Sequence, residues 1–586
     1  MREIQPKQIS DAVSQMVRKA NYTIGADMLG AFKDNKCHIG NFDPDLGEQG
    51  QYPFIYGGCV KNLTFIGPTS TLAPTGSDTT YKNNYTTGLE PRVGFAWDVL
   101  GRQTTTIRGG YGIYFVREDV GTADQLSFQA PFLPVAFSPG LPGCLATFFS
   151  QTNVPAKCIP SGFTSNPNGL PQSGTLDSSF IPCLGVFDGF PGGSTSGSPN
   201  YVCSGTGPGS IPSQFLFGLV VPRKFVAPNT QQWNLTVQRA LGRNWVLEVG
   251  YVGTHAVHLR ETRTNVQGRI ASPANRIVLT DTAGNQSTII TTTFQNGPAR
   301  SNLNSINGYN GMQIFADDAY SHYHSLQTTV SRRWAAGYFQ AAYTWSKSTD
   351  ATSSGNTALN TAFNDESDLK NSRGLSDFDR KHRLSVSYRY DLPFLKDATG
   401  AKGILLKDWA VSGITILQSG APFSVIDSSA GTAFIGGGLA SGTAGASLAP
   451  GGSIAEGLTS GDIHSRVNNG YLNPANFVPA PLVDAAACNG DPSGNFCTTL
   501  FGDLGRNIYR GPHQQNWDFS LIKNFKLTER QSMRFTTDFF NIWNHANFAN
   551  PGTGTATDIE IPGSFGRIFS TVGTPRLIQF SLRYAF

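Results

Sequence analysis

The feature that most constrains the fold is a set of segments in which apolar and polar residues alternate. Alternation with period two is typical of a strand that has one apolar face. The final segment keeps this pattern up to the last residue of the sequence, with one face formed by Ile578, Phe580, Leu582, Tyr584 and Phe586. Because the last residues of a soluble domain usually fray, this terminus is expected to be part of the folded structure.

Eleven such segments lie along the chain, and ten of them form pairs. They are Glu90–Asp98 with Thr105–Phe115, Gln231–Ala240 with Trp245–Val252, His324–Trp334 with Tyr338–Ser346, His382–Tyr390 with Trp409–Gln418, Asn516–Phe525 with Ser532–Trp543, and the terminal Arg576–Phe586. The connections within pairs are mostly short. The same rhythm requires one more strand before Glu90, within about residues 21–40, which gives about 12 strands.

The connections between pairs are much longer. They are rich in Gly, Pro, Ser, Thr and Asn, a composition that favours loops over a packed core, and cover roughly 116–230, 253–322, 347–380, 419–513 and 544–575. Short turns that alternate with long loops are typical of an up-and-down barrel in a bacterial outer membrane. No apolar run approaches the roughly 18 residues of a membrane-spanning helix.

The apolar faces of the five clearest strands are suited to lipid. None of their 20 positions is charged, whereas the opposite faces carry Glu248, Arg383, Arg389 and Arg583. An Arg or Lys that faces lipid at the midplane costs about 2–4 kcal/mol, so a face without charge is expected there. The apolar positions are Trp233, Leu235 and Val237; Trp245, Leu247, Val249 and Tyr251; Phe339, Ala341, Tyr343 and Trp345; Leu384, Val386, Tyr388 and Tyr390; and the five terminal residues.

A soluble β-sandwich or propeller also has strands with one apolar face. Strands near ten residues, the rhythm of the connections and the aromatic terminus favour a membrane barrel instead. The predicted fold is therefore all-β, a transmembrane antiparallel up-and-down barrel with long extracellular loops.

Five segments in order resemble the barrel strands of Oar-like TonB-dependent outer-membrane receptors. They are LEPRVGFAWDVLGRQTTTIRGGYGIYF (89–115), TQQWNLTVQRALGRNWVLEVGYVGTHAVHL (230–259), YHSLQTTVSRRWAAGYFQAAYTWSKSTD (323–350), DFDRKHRLSVSYRYDLPF (377–394) and RFTTDFFNIWNHANFANP (534–551). The resemblance covers about residues 40–586. It implies a barrel of about 22 strands closed by an N-terminal plug and preceded by a regulatory-like sandwich and a signal peptide.

The resemblance also implies the location and partners: the outer membrane of a Gram-negative bacterium, its lipid, the barrel-assembly machinery, and TonB acting on a segment ahead of the plug. Residues 1–40 form an atypical segment with a possible short helix and one strand, and 41–586 correspond to the receptor barrel. Since no signal peptide, sandwich or plug is recognisable, the chain is interpreted as the C-terminal barrel portion of such a receptor. Tyr584 and Phe586 would form its assembly signal, or simply belong to the interfacial aromatic residues.

Eight cysteines lie in Gly-, Pro-, Ser- and Asn-rich stretches, which suits loop disulfides in an oxidising compartment. One pairing among the 105 possible is sequential: 37 with 59, Cys144 with Cys158, Cys183 with Cys203, and Cys488 with Cys497. The His255/His258 and His322/His324 pairs lack a metal-binding pattern, and His255 and His258, at a strand end, are interpreted as solvated loop histidines. We predict no metal, no cofactor and no catalytic residue.

Two functions remain open from the sequence. The first is the barrel of a transporter for a bulky solute, and the second is a surface adhesin or passive pore whose loops bind a polymer or partner. No Lys/Arg block provides the concentrated basic face that nucleic-acid binding needs. A plug and a TonB-binding segment would distinguish the transporter.

Overall fold

A computed structural model describes most of the chain after residue 88 and a few strands before it. The described residues are 89–115, 224–264, 267–353, 363–434, 444–552 and 557–586, with gaps at 103, 243, 281–285, 295, 298–299, 301–310, 367–368 and 394–399, together with Gly40–Phe42, Ile55–Gly58, Lys82–Asn83 and Phe217–Val220. The possible N-terminal helix and the strand expected within 21–40 lie outside them, apart from Gly40.

Eleven strands form the main path of one antiparallel sheet, each paired with the next in chain order. They are β1 (Arg92–Asp98), β2 (Thr105–Phe115), β3 (Asn229–Ala240), β4 (Trp245–Thr264), β5 (Gly311–Trp334), β6 (Gly337–Asp350), β7 (His382–Asp391), β8 (Trp409–Gln418), β9 (Gln514–Lys526), β10 (Ser532–Phe540) and β11 (Leu577–Ala585). All eleven segments predicted from alternation are therefore strands. The up-and-down antiparallel prediction is confirmed.

The sheet is open in the described part of the chain, because β1 and β11 end its path and do not pair with each other. Two short strands join it from the side. Gly374–Leu375 pairs with β6, and Phe217–Val220 pairs in parallel with β5. Smaller two-stranded pairs lie outside the sheet: Gly40–Phe42 with Ile55–Gly58, Lys82–Asn83 with Lys224–Phe225, Ile277–Thr280 with Gln286–Ile289, Pro422–Phe423 with Tyr509–Arg510, and Ser447–Leu448 with Phe477–Val478.

Short and long connections alternate at opposite ends of the strands. Residues 99–104, 241–244, 335–336 and 527–531 make tight turns at one end, and 392–408 make a longer one. Gly101 and Gly242 have φ of 61° and 64° in these turns, a region that favours glycine. The long connections all leave from the other end of the strands.

The described helices are short: α1 (Leu369–Ser372), α2 (Gly400–Leu406), α3 (Ile463–Asn469) and α4 (Ala485–Asn489), with 3₁₀ turns at Ile454–Gly457 and Pro474–Asn476. None of the described helices is long and apolar enough to cross a bilayer. The side chain of Asp462 accepts hydrogen bonds from two backbone amides at the start of α3, which explains why the helix begins there.

Two long connections differ from the loops expected from composition. Residues 419–513 and 541–576, which we call the outer module, share a buried core: Phe423, Val425, Ala446, Tyr471, Leu472, Phe477, Leu504, Tyr509, Phe565 and Ile568. These apolar residues are spread over both connections without a period of 2 or 3.6, so no pattern in the sequence marks them as a core. Ala446 lies in the Gly-rich part of the predicted 419–513 loop and is nevertheless part of this core.

The predicted loop at 253–322 is also shorter than expected. β4 continues to Thr264 and β5 begins at Gly311. The two strands pair with each other through this region despite two irregularities in register. Cross-strand hydrogen bonds satisfy the backbone there without the apolar alternation on which the prediction relied.

Candidate functional site

The register of the sheet places the five predicted apolar sets on one continuous face. Directly paired residues of neighbouring antiparallel strands lie on the same face. One row runs across the sheet through Val237, Val249, Thr328, Tyr343, Leu384 and Leu417. A second row runs through Gly413, Phe519, Phe539 and Ile578 at the terminal strand. We call this surface the apolar wall.

Large side chains of the apolar wall are exposed rather than packed. Phe580 is 67% exposed, Leu582 65% and Trp97 58%. Exposed apolar surface on this scale marks an interaction site, and the wall extends over all eleven strands. The surface is therefore suited to contact with lipid acyl chains.

The cations on the apolar wall near the tight turns are Arg239, which pairs with Leu247, together with Arg332 and Lys523. The guanidinium of Arg332 lies 5.1 Å from the ring centre of Trp245 and 4.9 Å from that of Trp334. Lys523, paired with Trp409, is 2% exposed, and its Nζ donates to the carbonyl of Lys407. Long basic side chains of this kind cover apolar surface with their stems while the charge reaches a polar boundary.

Aromatic and imidazole side chains form a belt at the opposite edge of the apolar wall. The Tyr251 hydroxyl lies 2.7 Å from Nδ1 of His324, and the Tyr343 hydroxyl lies 2.8 Å from Nδ1 of His382. The ring centres of Trp233 and His324 are 6.2 Å apart. Amphipathic rings at this level are typical of a membrane–water interface.

The histidines interpreted as loop residues lie in strands instead. His255 of β4 and His322 of β5 are paired across the sheet, and their rings stack with centres 4.3 Å apart. Nδ1 of His258 lies 3.2 Å from the carbonyl of Asp317. Within the described residues, no group of three His, Cys, Asp or Glu side chains could hold a metal ion.

The polar face of the sheet carries the charges expected of a lumen. Arg383 pairs with Thr344, Arg389 with Tyr338, and Arg583 with Arg534. Ser520 donates to Asp538 across β9 and β10 at 2.5 Å. This face also contains apolar residues such as Ile414, which is 50% exposed, so it is mixed rather than purely polar.

A buried arginine attaches the outer module to the sheet. The Arg506 guanidinium forms an ion pair with Asp350 at the end of β6, and its Nε donates to the carbonyl of Ser372 at 2.9 Å. The side chains of Arg506 and Asp350 are only 10% and 4% exposed. A neighbouring pair joins Arg510 to Asp379, whose side chain is fully buried. Buried ion pairs of this kind hold the two segments of the chain that they join in one arrangement.

A second buried arginine links the 267–300 region to the outer module. Arg300 is fully buried, and it donates to Oδ1 of Asn296 at 2.6 Å and to the carbonyl of Ala433 at 2.6 Å. Burial lowers the pKa of Arg300 to about 10, which still leaves it charged at neutral pH. The outer module is thus held to the end of β6 at Asp350 and to the β4–β5 connection at Arg300.

Only some of the site residues predicted from the sequence lie within the part of the chain that the structure describes. Cys488 and Cys497 form a disulfide that closes a nine-residue separation in the outer module, whereas Cys144, Cys158, Cys183 and Cys203 lie outside the described residues. Tyr584 of β11 pairs with Met533 of β10. The ring of Tyr584 stacks on that of Phe586, with the ring centres 5.9 Å apart. Sequence reasoning did not identify Arg506, Arg510 or Arg300, because each binds a partner distant in sequence and belongs to no motif.

Residues 21–579 match the model of a protein family described as the outer membrane beta barrel domain. Among curated protein sequences, none matches the chain.

Solved structures similar to this chain include outer-membrane receptors and transporters. They are the outer membrane transporter YddB from Escherichia coli (9% identity, TM-score 0.34, covering 84% of this chain and 40% of that one), the pyoverdine receptor FpvA from Pseudomonas aeruginosa (11%, 0.33, 85% and 36%) and the siderophore receptor PirA from Acinetobacter baumannii (8%, 0.33, 85% and 41%). The chain thus spans well under half of the length of each.

Proposed function

This chain belongs to the outer membrane beta-barrel domain family, and from that premise we propose that it is the barrel portion of a TonB-dependent receptor that takes up a bulky solute. Its location is the outer membrane of a Gram-negative bacterium. The observation that carries the proposal is the division of one sheet into a predominantly apolar wall and an opposite face that carries charges. The first face would contact lipid and the second would line the route of the solute.

The five Oar-like segments support the Oar-like subtype. Those segments contain most of the strands β1–β7 and the strand β10, so the likeness concerns the barrel itself. We propose that the chain is the C-terminal part of such a receptor, with 41–586 as its barrel and with the plug and TonB-binding segment encoded upstream. No catalytic activity is proposed.

The outer module supports a second candidate function, that of an adhesin or passive pore. Its core, its disulfide and its buried ion pairs give it a fixed shape. A fixed surface loses little conformational entropy when it binds a partner. Such a surface would suit adhesion, and it would suit the capture of a solute before uptake equally well.

Two measurements distinguish the candidates. Sequencing of the source DNA upstream of Met1 is expected to show a reading frame that continues into a plug and signal peptide, and an in-frame stop codon directly upstream would contradict the receptor. The intact protein in a planar bilayer in potassium chloride is expected to carry no steady current, because a plug closes the barrel. A steady single-channel current would favour the passive pore.

A further inference from the structure

The helix α2 exposes three large apolar residues in succession. Ile404 is 64% exposed, Leu405 62% and Leu406 45%. The helix has seven residues, far fewer than the 20 or so that span a bilayer. It lies in the connection between β7 and β8, at the same end of the sheet as the tight turns. This end faces the periplasm in the barrel orientation proposed above.

Two side chains of the apolar wall attach α2 to the lipid side of the sheet. The indole Nε1 of Trp409 donates to the carbonyl of Leu405 at 2.9 Å, and Nζ of Lys523 donates to the carbonyl of Lys407. Trp409 and Lys523 are directly paired and therefore lie on one face. The next pair on that face is Val411 with Leu521, which places both anchoring side chains on the apolar wall rather than in the lumen.

Other connections at this end of the sheet present apolar residues in the same way. Leu100 is 56% exposed, Leu241 43% and Leu527 52%. Each lies in a tight turn that follows or precedes a strand of the apolar wall. The exposed residues of α2 thus lie at the same end of the sheet as other exposed apolar residues, in turns that border the apolar wall.

The charges around α2 suit an anionic surface. Lys402 is exposed and Lys407 is partly exposed, while the described residues 400–408 carry one carboxylate, that of Asp408. Basic residues beside exposed apolar residues are typical of a helix that lies in a membrane interface.

We propose that α2 docks on the periplasmic leaflet of the outer membrane, with Ile404, Leu405 and Leu406 among the acyl chains and with Lys402 and Lys407 at anionic phospholipid phosphates. The segment would fix the depth of the barrel in the bilayer at the β7–β8 connection. This inference rests on the barrel orientation of the proposed function, but not on transport or TonB. A protein partner bound to α2 is the competing occupant.

Lipid contact can be measured with an environment-sensitive fluorescent amino acid at Leu405 in the full chain. The chain is reconstituted in vesicles of phosphatidylcholine and phosphatidylglycerol with brominated acyl chains, which quench only nearby fluorophores. Reporters at Leu582 on the apolar wall and at Ser493 in the outer module serve as lipid-facing and water-facing controls. We expect quenching at Leu405 within about twofold of that at Leu582 and several-fold above that at Ser493.

The outcomes separate the two claims. Quenching at Leu582 but not at Leu405 would overturn the inference and leave the barrel intact, whereas no quenching at either position would overturn both. Ile404→Glu with Leu406→Glu should abolish quenching at Leu405 and preserve it at Leu582. A Leu405 reporter that is shielded in native outer membranes but unquenched in lipid vesicles would assign the surface to a protein partner and overturn lipid docking.

Discussion

Single charged residues decide how the outer module is held. The Arg506–Asp350 pair is buried on both sides and connects residues 156 positions apart. Removal of one partner of a buried ion pair destabilises a protein mainly because the other charge is left buried without a partner. These residues therefore control the attachment of the outer module more than any single apolar contact on its surface.

Arg506→Met should loosen the outer module. Among the described residues, the change leaves the buried Asp350 carboxylate with the Ser353 hydroxyl as its side-chain donor, so we expect about 3–5 kcal/mol less free energy for local opening. Hydrogen exchange of residues 444–513 measures this loss. Arg530→Met, in an exposed turn, is the matched control and should change nothing. Equal protection in both variants would show that the pair does not hold the module.

His322 should make the outer ends of β4 and β5 sensitive to acid. A strand needs about ten residues to span the membrane, and His322 lies further than that from the tight turn at the end of β5. Burial, together with the nearby His255, Arg373 and His324, lowers the pKa of His322. The unfolded chain, with a pKa of about 6.5, therefore takes up a proton first. The contribution of neutral His322 to the free energy of unfolding is therefore complete above the unfolded pKa. It is lost as the pH falls through the lower pKa of the folded chain.

The measurement is hydrogen-exchange protection of the residues around His255 and His322 at pH 7 and pH 5, corrected for intrinsic exchange rates. We expect protection to fall several-fold in the native chain and to be independent of pH in His322→Gln. His513→Gln, at an exposed histidine, is the control and should retain the native pH dependence. An unchanged pH dependence in His322→Gln would assign the effect to another group.

At the scale of elements, alternation of apolar and polar residues was sufficient to find all eleven strands. Alternation is strong where one face meets lipid, as in the terminal strand. It is weak in GTHAVHLRETRT, the outer half of β4, where polar and apolar residues occur at both alternating sets of positions. The sequence therefore predicts the membrane part of each strand and underestimates the part above it.

Adjacent residues of β11 should respond oppositely to the same substitution. Phe580 lies on the apolar wall opposite Thr537, and Gln579 lies on the polar face opposite Asp538. Phe580→Arg should cost about 2–4 kcal/mol of unfolding free energy in lipid vesicles, while Gln579→Arg should cost little because Asp538 can pair with it. Denaturant titration of the reconstituted chain measures both. A larger cost at Gln579 would mean that the two faces are reversed.

Loss of the terminal aromatic ring should impair assembly more than stability. Phe586 is 94% exposed and stacks only on Tyr584, so Phe586→Ala removes little packing. If these two residues form the assembly signal, the amount of protein in the outer membrane should fall several-fold while the unfolding free energy of the inserted protein stays within about 0.5 kcal/mol. Leu577→Ala, at the other end of β11, is the control. Equal amounts of both variants would reduce Tyr584 and Phe586 to interfacial aromatic residues.

At the scale of the whole molecule, the described chain has an open sheet and a packed module at one end. One face of the sheet is suited to contact with lipid, and the other is suited to line a lumen. The faces follow from residue types, so they could be predicted from the sequence. The outer module could not, because its core residues and its Arg506, Arg510 and Arg300 contacts join distant segments without any periodic signal. Composition rich in Gly and Ser concealed a fold that depends on a small number of buried side chains.

The orientation of the whole molecule is tested most directly by protease accessibility in cells whose outer membrane contains the protein. One variant carries a specific protease site at 491–494 in the outer module, and another carries it at 528–531 in the β9–β10 turn. We expect the first to be cleaved in intact cells, with fragments that separate only after reduction of the Cys488–Cys497 disulfide. The second should be cleaved only after the outer membrane is permeabilised. Cleavage at the turn but not at the outer module in intact cells would contradict the account.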